Sequence, residues 1–191
     1  SVGPGAVGKV RVTMETVPHP TTGVTEKQRV LEITGGDASA NHYTLVLLNQ
    51  PLYSGLSIST RFRIAGGKGV RAAGVIFRMQ PNHKDYYLLA VKPEAKEAFW
   101  TVFENGLPAK GFKYDEDQFV PPKDGWQSIK LQAKENTTRW TLNHRQDFIT
   151  YNPETTPDYH RGMVGFWVRS DSRVQFASPI LRTLKEEKQS Q

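Results

Sequence analysis

The 191-residue sequence contains no cysteine, which excludes disulfide bonds, thiolate catalysis and cysteine-ligated metals. No apolar run approaches the roughly 18–20 residues that a membrane-spanning helix needs. Its five histidines are widely spaced and form no paired zinc-ligand pattern. Acidic residues 115–117 are the nearest approach to a calcium loop, but a solvated acidic loop is the simpler explanation. We therefore expect no metal, no cofactor and no membrane span.

The chain also lacks any dense basic cluster, although its net charge is +6 and its pI is about 9.5. The 25 Lys and Arg residues are scattered singly, unlike the basic helix or patch that binds a phosphate backbone. Nucleophile elbows, phosphate loops and dinucleotide fingerprints are missing. We expect no nucleic-acid partner. The start at SVGPGAVG, without Met, is expected of a chain whose signal peptide has been removed.

What the sequence does contain is a series of about eleven short segments with period-2 alternation, such as LSISTRFRI, AAGVIFRMQ and WQSIKLQAK. Turn-forming clusters such as PNHKD and PPKDG separate them, and no amphipathic helix of crossover length lies between them. This pattern predicts an all-β fold, an antiparallel β-sandwich or jelly roll of the concanavalin A-like type. We expect one domain over residues 28–183, an irregular lead-in at 1–27 and a charged tail at 184–191.

Alternation also assigns the residues of each strand to a face of the sheet. In the strand from Met163 to Arg169, the core-facing residues are expected to be Val164, Phe166 and Val168. Trp167 and Arg169 then point to the outer surface. In AAGVIFRMQ the same rule puts Val75, Phe77 and Met79 in the core and Arg78 outside.

The segments DYYLLAVK and AFWTVFENG are apolar on both faces, which predicts strands covered on both sides. A concave sheet lined with aromatic and Arg side chains suits a sugar, because rings stack on sugar C–H faces and polar groups bind hydroxyls. The candidate ligand-binding residues are Arg78, Tyr87, Trp100, Trp167 and Arg169. An Arg pair would suit an acidic or oxidised sugar. Glu104 and Asp171 are the candidate acid/base pair, although a strand-end hydrogen-bonding group is the simpler explanation of each.

Several motifs occur in an order that resembles a known family. They are Phe77–Arg78, Asp85–Tyr86–Tyr87, the turn Asn105–Gly106, the pair Gly125–Trp126, and the block RGMVGFWVRSDS, of which residues 162–172 are the most specific part. Together they are similar to concanavalin A-like lectin/glucanase jelly rolls of bacterial exported proteins, in particular the 3-keto-disaccharide hydrolase domain, formerly a domain of unknown function. The resemblance covers residues 28–183.

The resemblance implies a periplasmic or extracellular domain that cleaves oxidised disaccharides or related glycans. The sequence departs from the family pattern at Asn143–His144, where an Asn-Gly turn is common, and at FASP, residues 176–179, where an acidic strand is common. These departures leave two functions open. One is an exported carbohydrate-binding domain, with or without glycoside hydrolysis, and the other is a non-catalytic protein-interaction sandwich that uses its edges or loops.

Overall fold

The computed structural model describes residues 8–19, 21–38, 42–48, 52–114, 122–135, 137–143, 145–150 and 159–184. Within these ranges the chain forms strands and a one-turn 3₁₀ helix at Pro93–Ala95. The strands are β1 (Lys9–Pro18), β2 (Thr25–Thr34), β3 (Tyr43–Leu47), β4 (Leu56–Gly66), β5 (Ala73–Met79), β6 (Tyr86–Lys92), β7 (Glu97–Glu104), β8 (Leu107–Tyr114), β9 (Gln127–Lys134), β10 (Thr137–Leu142), β11 (Arg145–Thr150), β12 (Met163–Arg169) and β13 (Arg173–Thr183). No helix in this described part has the length and apolar character of a membrane crossing.

The strands form two antiparallel sheets. The seven-stranded sheet has the order β1-β2-β13-β4-β9-β10-β11, and the six-stranded sheet has the order β3-β12-β5-β6-β7-β8. Sequence neighbours pair where a short turn joins them, as in β5-β6-β7-β8 and β9-β10-β11. The prediction of an all-β antiparallel sandwich is confirmed.

The main core lies between the two sheets. The predicted core residues Val164, Phe166 and Val168 of β12 belong to it, together with Phe62 of β4 and Leu131 of β9. Because β4 and β9 alternate between buried and more exposed residues, one face of each strand lies in this core and the other faces outward. The outward faces of the two sheets are therefore the surfaces that can carry a site.

The six-stranded sheet has a second apolar cluster on its outward face. It includes Ile76, Tyr86, Leu88, Phe103 and Trp167, all of which are buried. Strands β5, β6 and β7 thus bury residues on both faces. The two-sided apolar sequences of β6 and β7 predict this, whereas β5 was expected to have one outer face.

The N-terminal region differs from the irregular lead-in expected for residues 1–27. Strand β1 pairs with β2 along its whole length, from Lys9 opposite Thr34 to Pro18 opposite Thr25. Val10, Val12 and Met14 are exposed on one side of this edge strand. The segment KVRVTMETV does alternate in sequence, but the short alternation was not sufficient to predict a strand of ten residues.

A backbone irregularity at Arg78 corrects the predicted faces of β5. Arg78 has a φ of 53°, and the pairing of β5 with β12 shifts register at this point. Phe77 lies in the main core, whereas Met79 lies in the outward cluster, so the alternation breaks at Arg78. A Cβ on Gly162 would lie 2.3 Å from the Arg78 carbonyl carbon. Glycine is therefore required opposite the irregularity, because only a residue without a side chain permits this close approach.

Candidate functional site

Trp167 lies on the outward face of the six-stranded sheet, as expected, but it is only 1% exposed. Its ring stacks on Tyr43 at a centroid distance of 5.2 Å, and Tyr86 stacks on Phe103 at 4.5 Å. Burial, together with the neighbouring Tyr43, raises the pKa of Tyr86 far above its ordinary value. These rings therefore form a second packed layer rather than an open stacking platform.

Tyr87 and Trp100 belong to the core between the sheets. Both are 0% exposed, and their rings stack on each other with centroids 5.7 Å apart. In this position neither ring is accessible to a ligand at the surface. The alternation could not separate the two faces of β6 and β7, because both are apolar.

Arg78 is buried and faces away from the outward surface to which alternation assigned it. One of its terminal nitrogens donates to the carbonyl oxygen of Glu135, at the β9–β10 turn of the opposite sheet. Since a guanidinium needs hydrogen-bond acceptors when buried, this contact gives Arg78 a bridging role between the sheets.

Arg169 and Asp171 lie at the end of β12 and in the turn that follows it. Arg169 is half-buried, and its strand position is opposite Tyr43. Asp171 accepts hydrogen bonds from the backbone N–H groups of Lys68 and Gly69, each at 2.8 Å. Burial alone would raise the pKa of Asp171, but these two donors outweigh it and lower that pKa. Asp171 therefore holds the β4–β5 loop against the β12–β13 turn.

Glu104 and Asp171, the expected acid/base pair, lie at opposite ends of the six-stranded sheet. Ala98, at the start of β7, lies in the same row across the sheet as Val168 of β12, because β5 and β6 pair residue by residue between them. Glu104 is six residues further along β7, about 20 Å away at 3.3 Å per residue. Glycosidase carboxylates lie only about 5–10 Å apart, so these two residues do not form such a pair.

Glu104 has different neighbours at its own end of the sheet. Asp85 accepts the N–H of Asn105 at 2.6 Å. Burial raises the pKa of Tyr159, and the charges of Asp85 and Glu104 raise it further. No group of three or more residues able to hold a metal occurs in the described ranges. The carboxylates of residues 115–117, considered above for calcium, lie outside those ranges.

The outward face of the seven-stranded sheet carries polar side chains that sequence analysis did not select. Across β1, β2, β13 and β4, the residues Arg11, Glu32, Gln175 and Arg63 stand opposite one another in successive strands. Arg11 Nε donates to Glu32 at 2.8 Å, Gln175 donates to Glu32 at 2.8 Å, and Arg63 Nε donates to Gln175 at 2.7 Å. We call these four residues the polar ladder.

Glu15 of β1 completes this network by contacting Arg63 of β4. Two strands separate β1 from β4, so their spacing along a flat sheet would be about 14 Å. Nevertheless Glu15 Oε2 lies 2.9 Å from Arg63 Nη2. The β1 edge therefore curls over the outward face, and each charge in the network has an opposite charge as its neighbour.

Trp126 packs beside the network in a small apolar cluster with Val17, Val30 and Ala177. The guanidinium carbons of Arg61 and Arg63 lie 5.6 and 5.0 Å from the centre of its ring. Arg61 also donates to the carbonyl oxygen of Pro18. These contacts hold Arg61 in a defined orientation at the border between the network and the rest of the sheet.

Beyond that border, the outward faces of β4, β9 and β10 form an open surface of cations and hydroxyl or amide groups. We call it the β4–β9–β10 face. Its members alternate with the core residues of their strands and stand opposite one another in the pairings. They are Ser57, Ser59, Arg61, Ser128, Lys130, Gln132, Lys134, Thr137, Arg139 and Thr141. None of these ten residues is acidic.

A groove of about 360 Å³ lies on this face. The polar residues that line it are Ser59, Thr60, Arg61, Ser128, Lys130, Thr141 and Ser178. Ile180, 48% exposed, adds an apolar surface. Burial lowers the pKa of Arg61, with the charge of Asp124 opposing the change, but a guanidinium remains protonated at neutral pH. The groove therefore offers hydroxyl groups, two cations and one apolar side chain to a ligand.

No protein-family model and no curated protein matches the chain. Solved structures do match its fold. A carbohydrate binding module, CBM66 from Bacillus subtilis, is similar with a TM-score of 0.65 at 16% identity, over 94% of this chain and 97% of that one. The cellulose induced protein Cip1 has a TM-score of 0.62 at 11% identity, over 94% and 88%. A Bacillus subtilis protein of unknown function with a galectin-like fold has a TM-score of 0.58 at 9% identity, over 91% and 89%. At these identities the similarity shows the fold alone.

Proposed function

We propose that the chain is a carbohydrate-binding domain that holds its glycan in the groove of the β4–β9–β10 face. The observation that carries the proposal is the groove itself, in which Ser59, Ser128 and Thr141 hydroxyls stand beside Arg61 and Lys130. Sugar hydroxyl groups both donate and accept hydrogen bonds, so they pair well with hydroxyl side chains. The extensive structural similarity to a protein named as a carbohydrate binding module supports the same function.

We further propose that the domain binds its glycan without hydrolysing it, so that Glu104 and Asp171 do not act as an acid/base pair. Strand geometry separates these residues by about 20 Å, and both carboxylate oxygens of Asp171 accept backbone N–H groups. Among the described residues that line the groove, none carries a carboxylate. Location outside the cytoplasm, in the periplasm or extracellular space, is part of the proposal and rests on the resemblance to exported jelly-roll proteins.

The test removes hydroxyl groups from the groove. A glycan microarray first identifies the best ligand of the unmodified chain, and calorimetry then measures its Kd. The double variant Ser59→Ala with Thr141→Val should weaken binding by about 1–3 kcal/mol, since a neutral hydrogen bond contributes about 0.5–1.5 kcal/mol. This corresponds to roughly a five- to 150-fold higher Kd.

The matched control is Ser54→Ala with Thr25→Val, which removes the same groups from exposed positions outside the groove. It should leave Kd unchanged. Equal weakening by both double variants would contradict the placement of the site, and the absence of any bound glycan would contradict the proposed function.

A second candidate function, protein interaction, is favoured by the exposed edge strand. Val10, Val12 and Met14 of β1 are 49%, 65% and 59% exposed, and an edge strand offers backbone groups with which a partner strand can pair. The microarray separates the two functions, because a protein-interaction domain would bind no glycan.

A further inference from the structure

The outward face of the seven-stranded sheet is divided by charge into two halves. On the half formed by β1, β2, β13 and the Arg63 end of β4, the carboxylates of Glu15 and Glu32 neutralise Arg11 and Arg63. The β4–β9–β10 face has four cations, Arg61, Lys130, Lys134 and Arg139, and no acid among its ten outward residues. Arg61 has a carboxylate neighbour outside this face, Asp124, at 3.8 Å. Because the whole chain has 25 basic and 19 acidic residues, this composition is a local concentration of positive charge.

We infer that the groove selects an acidic glycan, one whose sugar residues carry a carboxylate or a sulfate group. This inference rests on the proposed function and adds the chemical class of the ligand. Arg61 and Lys130 occupy diagonal positions on β4 and β9, because Arg61 stands opposite Ser128 and Ser59 stands opposite Lys130. Diagonal neighbours are about 7–8 Å apart. An anionic group bound by Lys130 therefore lies close to the positive charge of Arg61, whose guanidinium is held at the border of the groove by Pro18 and Trp126.

The hydroxyl groups distinguish an acidic glycan from a simple anion. Ser59 and Thr141 stand on either side of Lys130 in the same row across the sheet. A sugar that places its anionic group on the cations can direct its neighbouring hydroxyl groups to these side chains. Charge-assisted hydrogen bonds are roughly twice as strong as neutral ones, so the anionic group should contribute most to the affinity.

The same surface is poorly suited to single-stranded nucleic acid. Single-stranded nucleic acid is bound by exposed aromatic rings on which the bases stack. Among the residues whose side-chain burial is described, the exposed large hydrophobic residues include no aromatic ring, and the one that lines the groove is Ile180. A glycan is therefore the ligand that these side chains favour.

The experiment compares polysaccharides that differ in charge but share a backbone. The probes are polygalacturonate with its fully methyl-esterified form, and dextran sulfate with dextran, measured by calorimetry in low and physiological salt. The anionic member of at least one pair should bind at least tenfold more tightly, and its affinity should fall as salt rises. The first pair tests a carboxylate and the second a sulfate.

Two charge-reversal variants assign the preference to the groove. Lys130→Glu changes an exposed groove cation and should weaken binding of the anionic probe at least tenfold. Lys27→Glu makes the same change in net charge at an exposed position of β2 and should change the affinity less than twofold. Both variants should unfold at the temperature of the unmodified chain.

Equal affinity for both members of each pair would overturn this inference while leaving the proposed function intact. Equal weakening by Lys27→Glu and Lys130→Glu, or a DNA duplex that competes as well as the best polysaccharide, would also overturn it. Binding to no glycan at all would overturn both the inference and the proposed function.

Discussion

At the scale of single residues, Asp171 receives two backbone hydrogen bonds from a loop about a hundred positions earlier in the chain. Its contacts with Lys68 and Gly69 link the β4–β5 loop to the β12–β13 turn. Hydrogen bonds to a charged group contribute about 1.5–3 kcal/mol each in favourable cases. Asp171 is only partly buried, so solvent screening reduces that contribution.

We predict that Asp171→Ala lowers the free energy of unfolding by about 1–3 kcal/mol without changing the affinity for the bound glycan. Denaturant unfolding and calorimetry measure the two quantities on the same sample. Glu26→Ala, which removes an exposed carboxylate of β2, is the control and should leave both unchanged. A loss of glycan affinity without a loss of stability in Asp171→Ala would instead place this carboxylate in the binding site.

Arg78 and Trp167 show which properties of single residues could not be predicted from the sequence. The positive φ of Arg78 reverses the direction of its side chain, and nothing in GVIFRMQ marks a non-glycine residue for this conformation. Trp167 was assigned to the correct face, but its exposure depends on packing across five strands of the sheet. Period-2 alternation shows to which side a residue points and not what covers that side.

At the scale of the strands, the polar ladder joins β1, β2, β13 and β4 through side chains as well as backbone. Glu32, at its centre, is 2% exposed. Burial alone would raise its pKa, but the hydrogen bonds from Gln175 and Arg11 and the charge of Arg11 outweigh burial and lower it. In the unfolded chain the carboxyl group regains its ordinary pKa, so the unfolded state binds a proton at higher pH than the folded state does.

The stabilising contribution of Glu32 should therefore be fully present above its ordinary pKa of about 4.3 and lost as the pH falls through the lower, folded pKa. We predict that the free energy of unfolding decreases on acidification and that Glu32→Gln makes this decrease smaller. Urea unfolding at a series of pH values from 7 to 3 measures how the free energy of unfolding depends on pH in both chains. The pKa of Asp171 is also lowered, so Asp171 should account for part of the pH dependence of unfolding that remains in Glu32→Gln.

Glu26→Gln provides the matched control, because Glu26 is an exposed residue of the same strand. The free energy of unfolding of Glu26→Gln should decrease on acidification as much as that of the unmodified chain does. If Glu32→Gln also leaves the acid dependence unchanged, the ladder does not hold a carboxylate with a lowered pKa.

The strands themselves were largely predictable, whereas the surface that they build was not. The segments LSISTRFRI and WQSIKLQAK place Ser59, Arg61, Ser128 and Lys130 on polar faces by simple alternation. Their assembly into one groove requires β4 to pair with β9. These strands are separated by four others along the chain, and alternation within a strand does not determine which distant strand will be its neighbour.

At the scale of the whole molecule, the sandwich has two outward faces of opposite character. The six-stranded sheet carries a packed aromatic layer that includes Trp167 and Tyr86. The seven-stranded sheet carries the polar ladder, whose charges balance together with Glu15, on one half and a cationic, hydroxyl-bearing groove on the other. Sequence analysis favoured the aromatic face as the sugar site, because an aromatic strand resembles a stacking platform when its burial is unknown. The geometry favours the groove.

The central claim is that a glycan binds to the β4–β9–β10 face. Its most direct test is a titration of the ¹⁵N-labelled chain with the best microarray ligand, followed by amide chemical shifts. The largest shifts should occur at Ser59, Ser128, Lys130 and Thr141, and the amides around Trp167 should remain unchanged. Shifts centred on Tyr43, Trp167 and Arg169, with the groove unaffected, would contradict the claim and return the site to the aromatic face.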